Sequence, residues 1–431
     1  MKRLLQKILA HLARTIVQKY RPDVIAITGS VGKTTAKEAV VRVLSETFNV
    51  RGSEKSYNNE LGVPLTIIGA HAPARSLAGW LHIFFRACRL LCFNDPTYPA
   101  ILVLEMGSDA PGDIERLVAI APPKIGVITA ISPAHLEKLG TMDNLIAEKK
   151  SIFCKHISAD QWMILNADDS ALYPVSQQTP ACLMTFGEHP ESVLRISDVT
   201  ERYVFHPDQS EYVTGIACTL TYEGRSVRAE FPHLIGRHVL PSIIAGVTVG
   251  CIYHIPLTEI VRRLHGIEPA RGRLRPLLGI KHTLIIDDTY NSSPKAARGA
   301  IDTLMSFEID GGARRIALLG DMRELGSHTE KEHRALGTYA AQQGIDYLFA
   351  IGNAAHFLAE GALESIDQSR VFVFNDSVSA GRALQELMRK GDVILIKGSQ
   401  NMIRLERVVK EVMAEPHRAN ELLVRQDREW M

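Results

Sequence analysis

Residues 24–34 read Val-Ile-Ala-Ile-Thr-Gly-Ser-Val-Gly-Lys-Thr, an apolar run typical of a β-strand that breaks into a turn bracketed by glycines. Glycines in such a turn let backbone N–H groups close around phosphate oxygens, and the N-terminus of a following helix favours the anion. A lysine at the end of the turn can reach the β- and γ-phosphates, and a threonine hydroxyl can ligate Mg²⁺. The stretch therefore predicts a strand, a nucleotide-phosphate loop and a helix, with Lys33 and Thr34 at the phosphates.

The spacing of the glycines departs from the standard phosphate loop. The usual pattern G-x-x-x-x-G-K-[ST] has a longer interval than this loop, where Gly29 and Gly32 enclose only Ser30 and Val31. Glycine-rich turns from strand to helix are also common in α/β folds generally. On the residues alone, an incidental turn stays open as the alternative to a nucleotide site.

Length and composition indicate an ordinary multidomain enzyme. The 431 residues exceed what one hydrophobic core normally supports, so we expect roughly two or three domains. The 49 Lys and Arg balance 48 Asp and Glu, which argues against nucleic acid as a partner and leaves small anions open. The six cysteines lack paired spacing, which favours reduced thiols in a cytoplasmic protein. We further expect a monomer.

Two apolar stretches raise the question of a membrane. Residues 1–21 carry six Lys and Arg and no acid, with apolar side chains on one helical face, which predicts an amphipathic helix rather than a span or a signal peptide. Such a helix either docks on the protein's own body or makes weak contact with a membrane surface. Residues 80–93 are too short to span a membrane and contain Arg86 and Arg89, so they predict a connector helix.

The pattern along the chain predicts two α/β domains. Strand-type runs at 101–104, 125–130 and 163–166 alternate with helical patterns, as in a parallel sheet covered by helices. Residues 180–235 break this rhythm and predict an antiparallel patch. Residues 269–276 predict a linker, and a second series of strands and helices begins at residue 283. We expect an N-terminal helix over 1–22, a P-loop-type central ATPase domain over 23–270 and a Rossmann-like α/β domain over 271–431 that ends in a surface helix or tail.

Three further residues are candidates for the phosphate site. Glu105 ends an apolar strand, so its carboxylate should lie at the carboxyl edge of the sheet, beside the loop, where it could hold Mg²⁺. His135 follows the next strand by a few residues, and a metal or catalytic role there competes with a structural one. Residue types alone cannot choose between Lys149 and Lys150, in a segment whose plain interpretation is a helix with exposed charges.

Two motifs stand at strand ends of the second domain. Residues 287–294 read Asp-Asp-Thr-Tyr-Asn-Ser-Ser-Pro, and their carboxylates, ring and amide could meet ribose, base or metal, or form an Asx turn before a helix. Residues 397–399 read Lys-Gly-Ser and could bind a carboxylate, or form a plain turn with a solvated lysine.

Taken in order, these motifs resemble the ATP-dependent Mur ligases of peptidoglycan synthesis, and residues 28–34 are similar to the shortened phosphate loop of that family. Further matches are Tyr-Asn-Asn-Glu-Leu-Gly-Val-Pro at 57–64, Leu-Glu-Met-Gly at 104–107, Ala-His-Leu-Glu at 134–137, Asn-Ala-Asp at 166–168, Asp-Asp-Thr-Tyr-Asn at 287–291 and Leu-Gly-Asp-Met-Arg-Glu-Leu-Gly at 319–326. The resemblance implies that D-alanyl-D-alanine is added to a UDP-N-acetylmuramoyl-tripeptide through an acyl phosphate, with ATP and two Mg²⁺. A Mur-type ligase with another acceptor, such as a folate-polyglutamate ligase, and a non-catalytic nucleotide-binding module stay open.

The resemblance also implies residue roles. Lys33 would steady the phosphates, Thr34 and Glu105 would hold one Mg²⁺, and His135 would help to hold the second. Lys149 matches a family lysine that is often carbamylated, with Lys150 as its alternative. The implied substrate contacts are Asp321, Lys397 and Ser399. The implied ATP contacts are Gly29, Ser30, Gly32, Lys33, Thr34, Thr35, Asn59, Arg273, Asp288, Tyr290 and Asn291.

Two departures from the family pattern are visible. The family motif Gly-x-His-Asn-x-x-Asn is read here as residues 236–242, Gly-Arg-His-Val-Leu-Pro-Ser, so Val239 and Ser242 replace both amides. These ligases usually begin with a domain that grips the UDP-sugar, whereas about 22 residues precede the first strand here. We therefore expect a chain without that domain, whose other domains hold the sugar-peptide substrate.

Overall fold

A computed structural model describes residues 2–53, 57–73, 76–132, 139–153, 161–172, 174, 182–399 and 403–426 of the chain. The chain folds into two compact units. The first comprises Met1–Asp198, Cys218–Ala229 and Pro241–His265, and the second comprises Val199–Ala217, Glu230–Leu240 and Gly266–Met431. The domain bounds at residues 22 and 270 stay a prediction.

The larger sheet of the described residues has nine strands. They are β1 (Asp23–Thr28), β2 (Val50–Gly52), β3 (Ile101–Glu105), β4 (Ile125–Ile128), β5 (Trp162–Asn166), β6 (Cys182–Gly187), β7 (Leu194–Glu201), β10 (Ile216–Tyr222) and β11 (Arg225–Phe231). Their order across the sheet is β11-β10-β7-β6-β5-β4-β1-β3-β2, and strands β1 to β7 pair in parallel. The central strands are buried on both faces, which explains the continuous apolar runs of the sequence.

The residues predicted as an antiparallel patch divide between two sheets. Strands β10 and β11 extend the larger sheet and are joined by the predicted turn, in which Glu223 and Gly224 have φ of +49° and +74°. Strands β8 (Val204–His206) and β9 (Glu211–Val213) pair antiparallel in a separate two-stranded sheet. The mixed α/β fold class expected from the sequence is confirmed.

The first helix packs its apolar face into the first unit. Leu9, Ala13 and Ile16 are fully buried, whereas the neighbouring apolar residue Ile8 is 41% exposed. None of the described helices is long and apolar enough to cross a membrane. The helices before residue 270 are Lys2–Tyr20, Lys33–Ser45, Gly62–Ile68, Leu77–Cys92, Asp113–Ile120, Met142–Lys150, Leu240–Ile252 and Leu257–Leu264.

The second unit contains a six-stranded sheet. Its strands are β12 (Arg275–Gly279), β13 (Thr283–Asp288), β14 (Arg315–Gly320), β15 (Tyr347–Ile351), β16 (Val371–Phe374) and β17 (Val393–Lys397). Their order across the sheet is β12-β13-β17-β14-β15-β16. All pairs are parallel except β12 with β13. The covering helices are Pro294–Met305, Thr329–Gln343, Ala355–Ala362, Ser377–Leu387, Glu406–Val412 and Ala419–Leu422.

Two sequence-based expectations for this unit are wrong in detail. Arg275 and Pro276, placed in a linker, belong to edge strand β12, where a proline is tolerated because its missing N–H faces no neighbouring strand. The C-terminal residues are not a surface tail throughout. Leu423 is fully buried, and Arg425 pairs with the buried Glu406, with its Nη1 3.1 Å from Oε2.

We predict that Gly337→Ala lowers the melting temperature. A Cβ added at Gly337 would lie 2.0 Å from the carbonyl oxygen of Leu358, because helices Thr329–Gln343 and Ala355–Ala362 touch there through their backbones. Forcing an extra group into such a contact costs about 1–3 kcal/mol, equivalent to a fall of several degrees by thermal denaturation. Gly311→Ala is the matched control, since no heavy atom lies within 4 Å of its added Cβ. Equal melting of the two variants would contradict the close contact.

Candidate functional site

The phosphate loop connects β1 to the helix Lys33–Ser45 and requires both of its glycines. Gly29 and Gly32 have φ of +141° and +84°, conformations that other residues rarely adopt. A Cβ at Gly29 would lie 2.2 Å from Oγ1 of Thr129, and one at Gly32 would lie 2.1 Å from Oγ of Ser242. Two neighbouring segments therefore close on the loop and leave room only for glycine.

Lys33 and Ser30 are held by the loop and by the segment after β4. The Lys33 ammonium donates hydrogen bonds to the carbonyl oxygens of Gly29 and Ser30, at 2.6 and 3.4 Å. The Ser30 hydroxyl donates to the carbonyl oxygen of Ser132 at 2.9 Å and accepts from its N–H at 3.1 Å. The ammonium thus lies at the loop itself, where an anion on the loop would meet it. Thr35 lies in the first turn of the following helix.

A buried carboxylate lies beside the loop, as the strand-end position predicts. Glu105 ends β3, is 1% exposed, and its Oε2 lies 3.3 Å from the Thr34 hydroxyl. Its Oε1 lies 3.8 Å from Nζ of Lys37 and has no hydrogen-bond partner among the described residues. A hydroxyl oxygen and a carboxylate oxygen side by side are the donor types that Mg²⁺ prefers, so these two residues fit the ion.

The structure distinguishes the two neighbouring lysines of the helix Met142–Lys150. Lys149 is 1% exposed and donates a hydrogen bond of 2.7 Å to the Ser108 hydroxyl, whereas Lys150 is only half-buried. Burial, and secondarily the positive charge of Lys33, lowers the pKa of Lys149 to about 7. A large fraction of Lys149 is therefore the neutral, nucleophilic amine near neutral pH.

Of the other predicted residues in the first unit, Asn59 shapes the start of a helix. The Asn59 side chain accepts hydrogen bonds from the N–H groups of Leu61 and Gly62, at 3.1 and 3.0 Å, and so shapes the start of the helix Gly62–Ile68. His135 lies outside the described residues. Within the described ranges, no group of three or more His, Cys, Asp and Glu side chains could hold a metal ion by itself.

In the second unit, the two strand-end motifs meet at neighbouring strands. Asp288 of β13 and Lys397 of β17 are in register, and Oδ2 lies 2.6 Å from Nζ. The same ammonium donates to the carbonyl oxygen of Asn291 at 2.9 Å. The Ser399 hydroxyl donates to the carbonyl oxygen of Ser292 at 3.2 Å. These residues form one hydrogen-bonded group at the carboxyl edge of the smaller sheet.

Two arginine side chains lie near the ring of Tyr290. The guanidinium carbons of Arg273 and Arg425 lie 4.3 and 5.6 Å from its ring centre, and Arg425 also donates to the Tyr290 carbonyl oxygen at 2.5 Å. Asp321, expected at the substrate, accepts hydrogen bonds from the N–H groups of Asn353 and Ala354, at 3.0 and 2.9 Å. Its carboxylate therefore holds the turn after β15.

Sequence reasoning missed Lys37 and Ser108, and it named Ser242 and Asp287 without the surroundings that the fold gives them. Lys37 follows Lys33 by one helical turn, a spacing that could have indicated a shared face. Ser108 carries no sequence signal, because only the fold brings it to Lys149. Ser242 stands at an asparagine position of the family motif, but only the fold shows its contact with Gly32. Asp287 is fully buried, which raises its pKa to about 6, and its Oδ2 has no hydrogen-bond partner among the described residues.

Comparison with known proteins gives consistent matches. Residues 89–250 match the Mur ligase middle domain, and residues 272–400 match the Mur ligase, glutamate ligase domain. The UDP-N-acetylmuramoyl-tripeptide--D-alanyl-D-alanine ligase of Bacillus subtilis is 30% identical over 409 residues, 95% of this chain and 79% of that protein. The protein of the same name from Escherichia coli is 27% identical over 405 residues, 93% of this chain and 78% of its own.

Two solved structures have a similar fold. The MurF ligase of Thermotoga maritima in complex with ADP has a TM-score of 0.72 at 25% identity, and the match covers 94% of this chain and 83% of that one. MurF from Acinetobacter baumannii has a TM-score of 0.76 at 24% identity, covering 94% of this chain and 79% of that one.

Two α/β units and a shortened phosphate loop define a nucleotide-binding enzyme. The chain belongs to the Mur ligase family. It is an ATP-dependent ligase that forms amide bonds, so the family resemblance seen in the sequence is confirmed.

We predict that Lys149 makes the free energy of unfolding rise with pH between about pH 7 and the ordinary lysine pKa of 10.5. Because burial lowers the pKa of Lys149 to about 7, the unfolded chain binds more protons than the folded chain in this window, and stability rises wherever that is so. Denaturant titrations in bicarbonate-free buffer should show this rise for the wild type relative to Lys149→Met. Parallel pH profiles for the two proteins would rule it out.

Proposed function

We propose that this chain joins D-alanyl-D-alanine to a UDP-N-acetylmuramoyl-tripeptide, using ATP, in the synthesis of peptidoglycan precursors. The observation that carries the proposal is the position of Lys33 and Thr34 at the end of a shortened phosphate loop, with the carboxylate of Glu105 beside them. Proteins named UDP-N-acetylmuramoyl-tripeptide--D-alanyl-D-alanine ligase match almost the whole length of this chain, which supports the same proposal. The substrates are accordingly small molecules.

In this proposal, the phosphate loop binds the β- and γ-phosphates of ATP. The N-terminus of the helix Lys33–Ser45 and the loop N–H groups attract the anion, and the Lys33 ammonium turns from its loop carbonyls to the phosphate oxygens. Phosphoryl transfer depends mainly on positioning and charge neutralisation, so these groups contribute most of the rate. Gly29, Ser30, Gly32 and Thr35 contribute loop contacts.

Thr34 and Glu105 would hold one Mg²⁺. The Oε1 of Glu105 supports this assignment, because it accepts no hydrogen bond among the described residues, and its one charged neighbour there, the Lys37 ammonium at 3.8 Å, leaves it able to ligate a cation. When bound, the ion supplies positive charge to the phosphate oxygens. A second Mg²⁺ with His135 as a ligand stays a prediction.

We assign the carbamylated lysine to Lys149 rather than Lys150. The neutral amine attacks CO₂, a new N–C bond forms, and one proton is lost, so a cation becomes an anion. The lowered pKa of Lys149 supports this step, because only the unprotonated amine reacts. The carbamate would exchange the repulsion between Lys149 and Lys33 for attraction.

The proposed reaction has two steps. An oxygen of the tripeptide carboxylate attacks the γ-phosphorus of ATP, and the bond between that phosphorus and the bridging oxygen breaks. The tripeptide becomes an acyl phosphate, and ADP is the leaving group. The amine of D-alanyl-D-alanine then attacks the acyl carbon, and phosphate departs as the amide forms and the amine loses a proton. We assign Arg273, Asp288, Tyr290 and Asn291 to the nucleotide.

We assign Asp321, Lys397 and Ser399 to the peptide substrates, and Asn59 to the nucleotide region. Asp288 and Lys397 neutralise each other in the ligand-free chain, so a carboxylate of a substrate would compete for an ammonium that is already positioned. The monomeric state, the cytoplasmic location and a weak membrane contact of the first helix stay predictions.

We predict amine-dependent phosphate release when the purified chain is given ATP, Mg²⁺, the UDP-N-acetylmuramoyl-tripeptide and D-alanyl-D-alanine. The product mass should equal that of the two joined substrates less one water. Lys33→Ala should lower the rate by about 10²-fold or more, because it removes a charge at the transferred phosphoryl group.

Turnover with another acceptor and amine, but none with the tripeptide and D-alanyl-D-alanine, would disprove the substrate assignment and favour a ligase with a different acceptor. ATP binding without any amine-dependent phosphate release would favour a non-catalytic module. Val239 and Ser242 in place of the family asparagines are the observation behind that alternative.

We predict that Lys149→Ala is inactive and that short carboxylic acids such as acetate partly restore its activity, because they replace the carbamate oxygens. Lys150→Ala is the matched control, and it should keep its activity since Lys150 is only half-buried. Removal of bicarbonate should slow the wild type. A fully active Lys149→Ala would disprove the carbamate.

A further inference from the structure

Helix Leu77–Cys92 of the first unit buries one face and exposes the other. The buried face consists of Ile83, Ala87 and Leu90. At about 100° per residue, the exposed apolar residues fall within an arc of about 80° on the opposite side. We call this set the apolar stripe, and its members are Leu77, Leu81, Phe85, Cys88 and Cys92.

The stripe is strongly exposed. Leu77 is 81% exposed, and Leu81 and Phe85 are each 69% exposed. Single exposed apolar residues are ordinary, but a continuous helical face of large ones marks a surface that meets another apolar phase. Phe93, directly after the helix, is also 69% exposed.

The N-terminal helix lies beside this helix in the same unit. The Lys19 ammonium donates to the carbonyl oxygens of Leu90 and Phe93, at 2.8 and 2.6 Å, and so caps the end of helix Leu77–Cys92. Tyr20 adds a hydroxyl bond of 3.0 Å to the carbonyl oxygen of Leu90. The N-terminal helix has its own exposed apolar residues, Leu4 at 63% and Ile8 at 41%.

Charge is segregated onto these two adjacent segments. Residues 1–22 and 61–94 together carry nine of the 49 Lys and Arg and none of the 48 Asp and Glu. The remainder of the chain therefore carries 40 basic and 48 acidic residues. Lys7, Arg14 and Arg89 are exposed. Asp95, which directly follows the second segment, has a carboxylate oxygen 3.5 Å from the Arg89 guanidinium.

We propose that helices Lys2–Tyr20 and Leu77–Cys92 form a surface that docks this ligase on a membrane of anionic phospholipids. The apolar stripe enters the boundary between headgroups and acyl chains, while the cations meet the lipid phosphates. A second copy of the chain fits this surface poorly, because a symmetric contact would bring two sets of like charges together.

Flotation of the purified chain with lipid vesicles tests the proposal. The chain should float with vesicles of phosphatidylglycerol and phosphatidylethanolamine, and not with phosphatidylcholine alone. Added salt should weaken the binding, because it screens the attraction between the cationic side chains and the lipid phosphates. No flotation with the anionic vesicles would overturn the proposal.

Substitutions separate the contribution of the apolar stripe to vesicle binding from the contribution of the cations. Leu81→Ser with Phe85→Ser should weaken binding about tenfold or more, while the melting temperature stays that of the wild type. Leu363→Ser is the matched control, since Leu363 is 43% exposed but lies in the second unit, and it should bind like the wild type. Lys7→Gln should weaken binding to anionic vesicles about threefold to fivefold. Unchanged binding of the double variant would overturn the proposal.

The natural thiols provide an independent measurement. Cys88 and Cys92 lie in the apolar stripe, and Cys182 is a half-buried thiol outside it. Anionic vesicles should slow labelling of the first two by a bulky maleimide, measured by peptide mass, and leave Cys182 unchanged. Protection that needs no vesicles, increases with protein concentration and disappears in the double variant would identify a contact between copies and overturn membrane docking.

Discussion

Burial of charge at the carboxyl edge of the larger sheet is the constraint on which the first unit depends. Glu105 and Lys37 are each 1% exposed and compensate each other over 3.8 Å, since an uncompensated buried charge would destabilise the fold. Thr34 and Lys37 are three residues apart on one helix, so both face the carboxylate that ends β3. The same carboxylate thus contacts the start of the helix that follows the phosphate loop at two positions.

The second unit also pairs buried charges at the carboxyl edge of its own sheet. Asp288 and Lys397 end neighbouring parallel strands, and register places the carboxylate and the ammonium 2.6 Å apart. Lys149 is the exception in the first unit, because its hydrogen bond goes to the uncharged Ser108 and burial lowers its pKa. A lysine in that condition is suited to reaction rather than to an ion pair, which is why the carbamate is assigned to it.

The sequence predicted most of the helices and strands, because their apolar residues follow a strong and regular pattern. The apolar runs of β1, β3, β4 and β5 were visible since parallel strands are buried on both faces. Strand β12 was missed because Arg275 and Pro276 look like linker residues, and an edge strand tolerates them. The buried C-terminal segment was missed because Arg425 is charged, and only the buried Glu406 explains why it packs inside.

The sequence alone determined the fold class, the family and the glycine-bracketed loop, because these depend on local periodicity and on residues close together in the chain. Tertiary structure decided the rest. It separated Lys149 from Lys150, brought Ser242 against Gly32, and placed two acid-free segments side by side. The physical reason is that burial, and with it pKa, hydrogen-bond partner and exposed face, is a property of contacts between residues far apart in sequence.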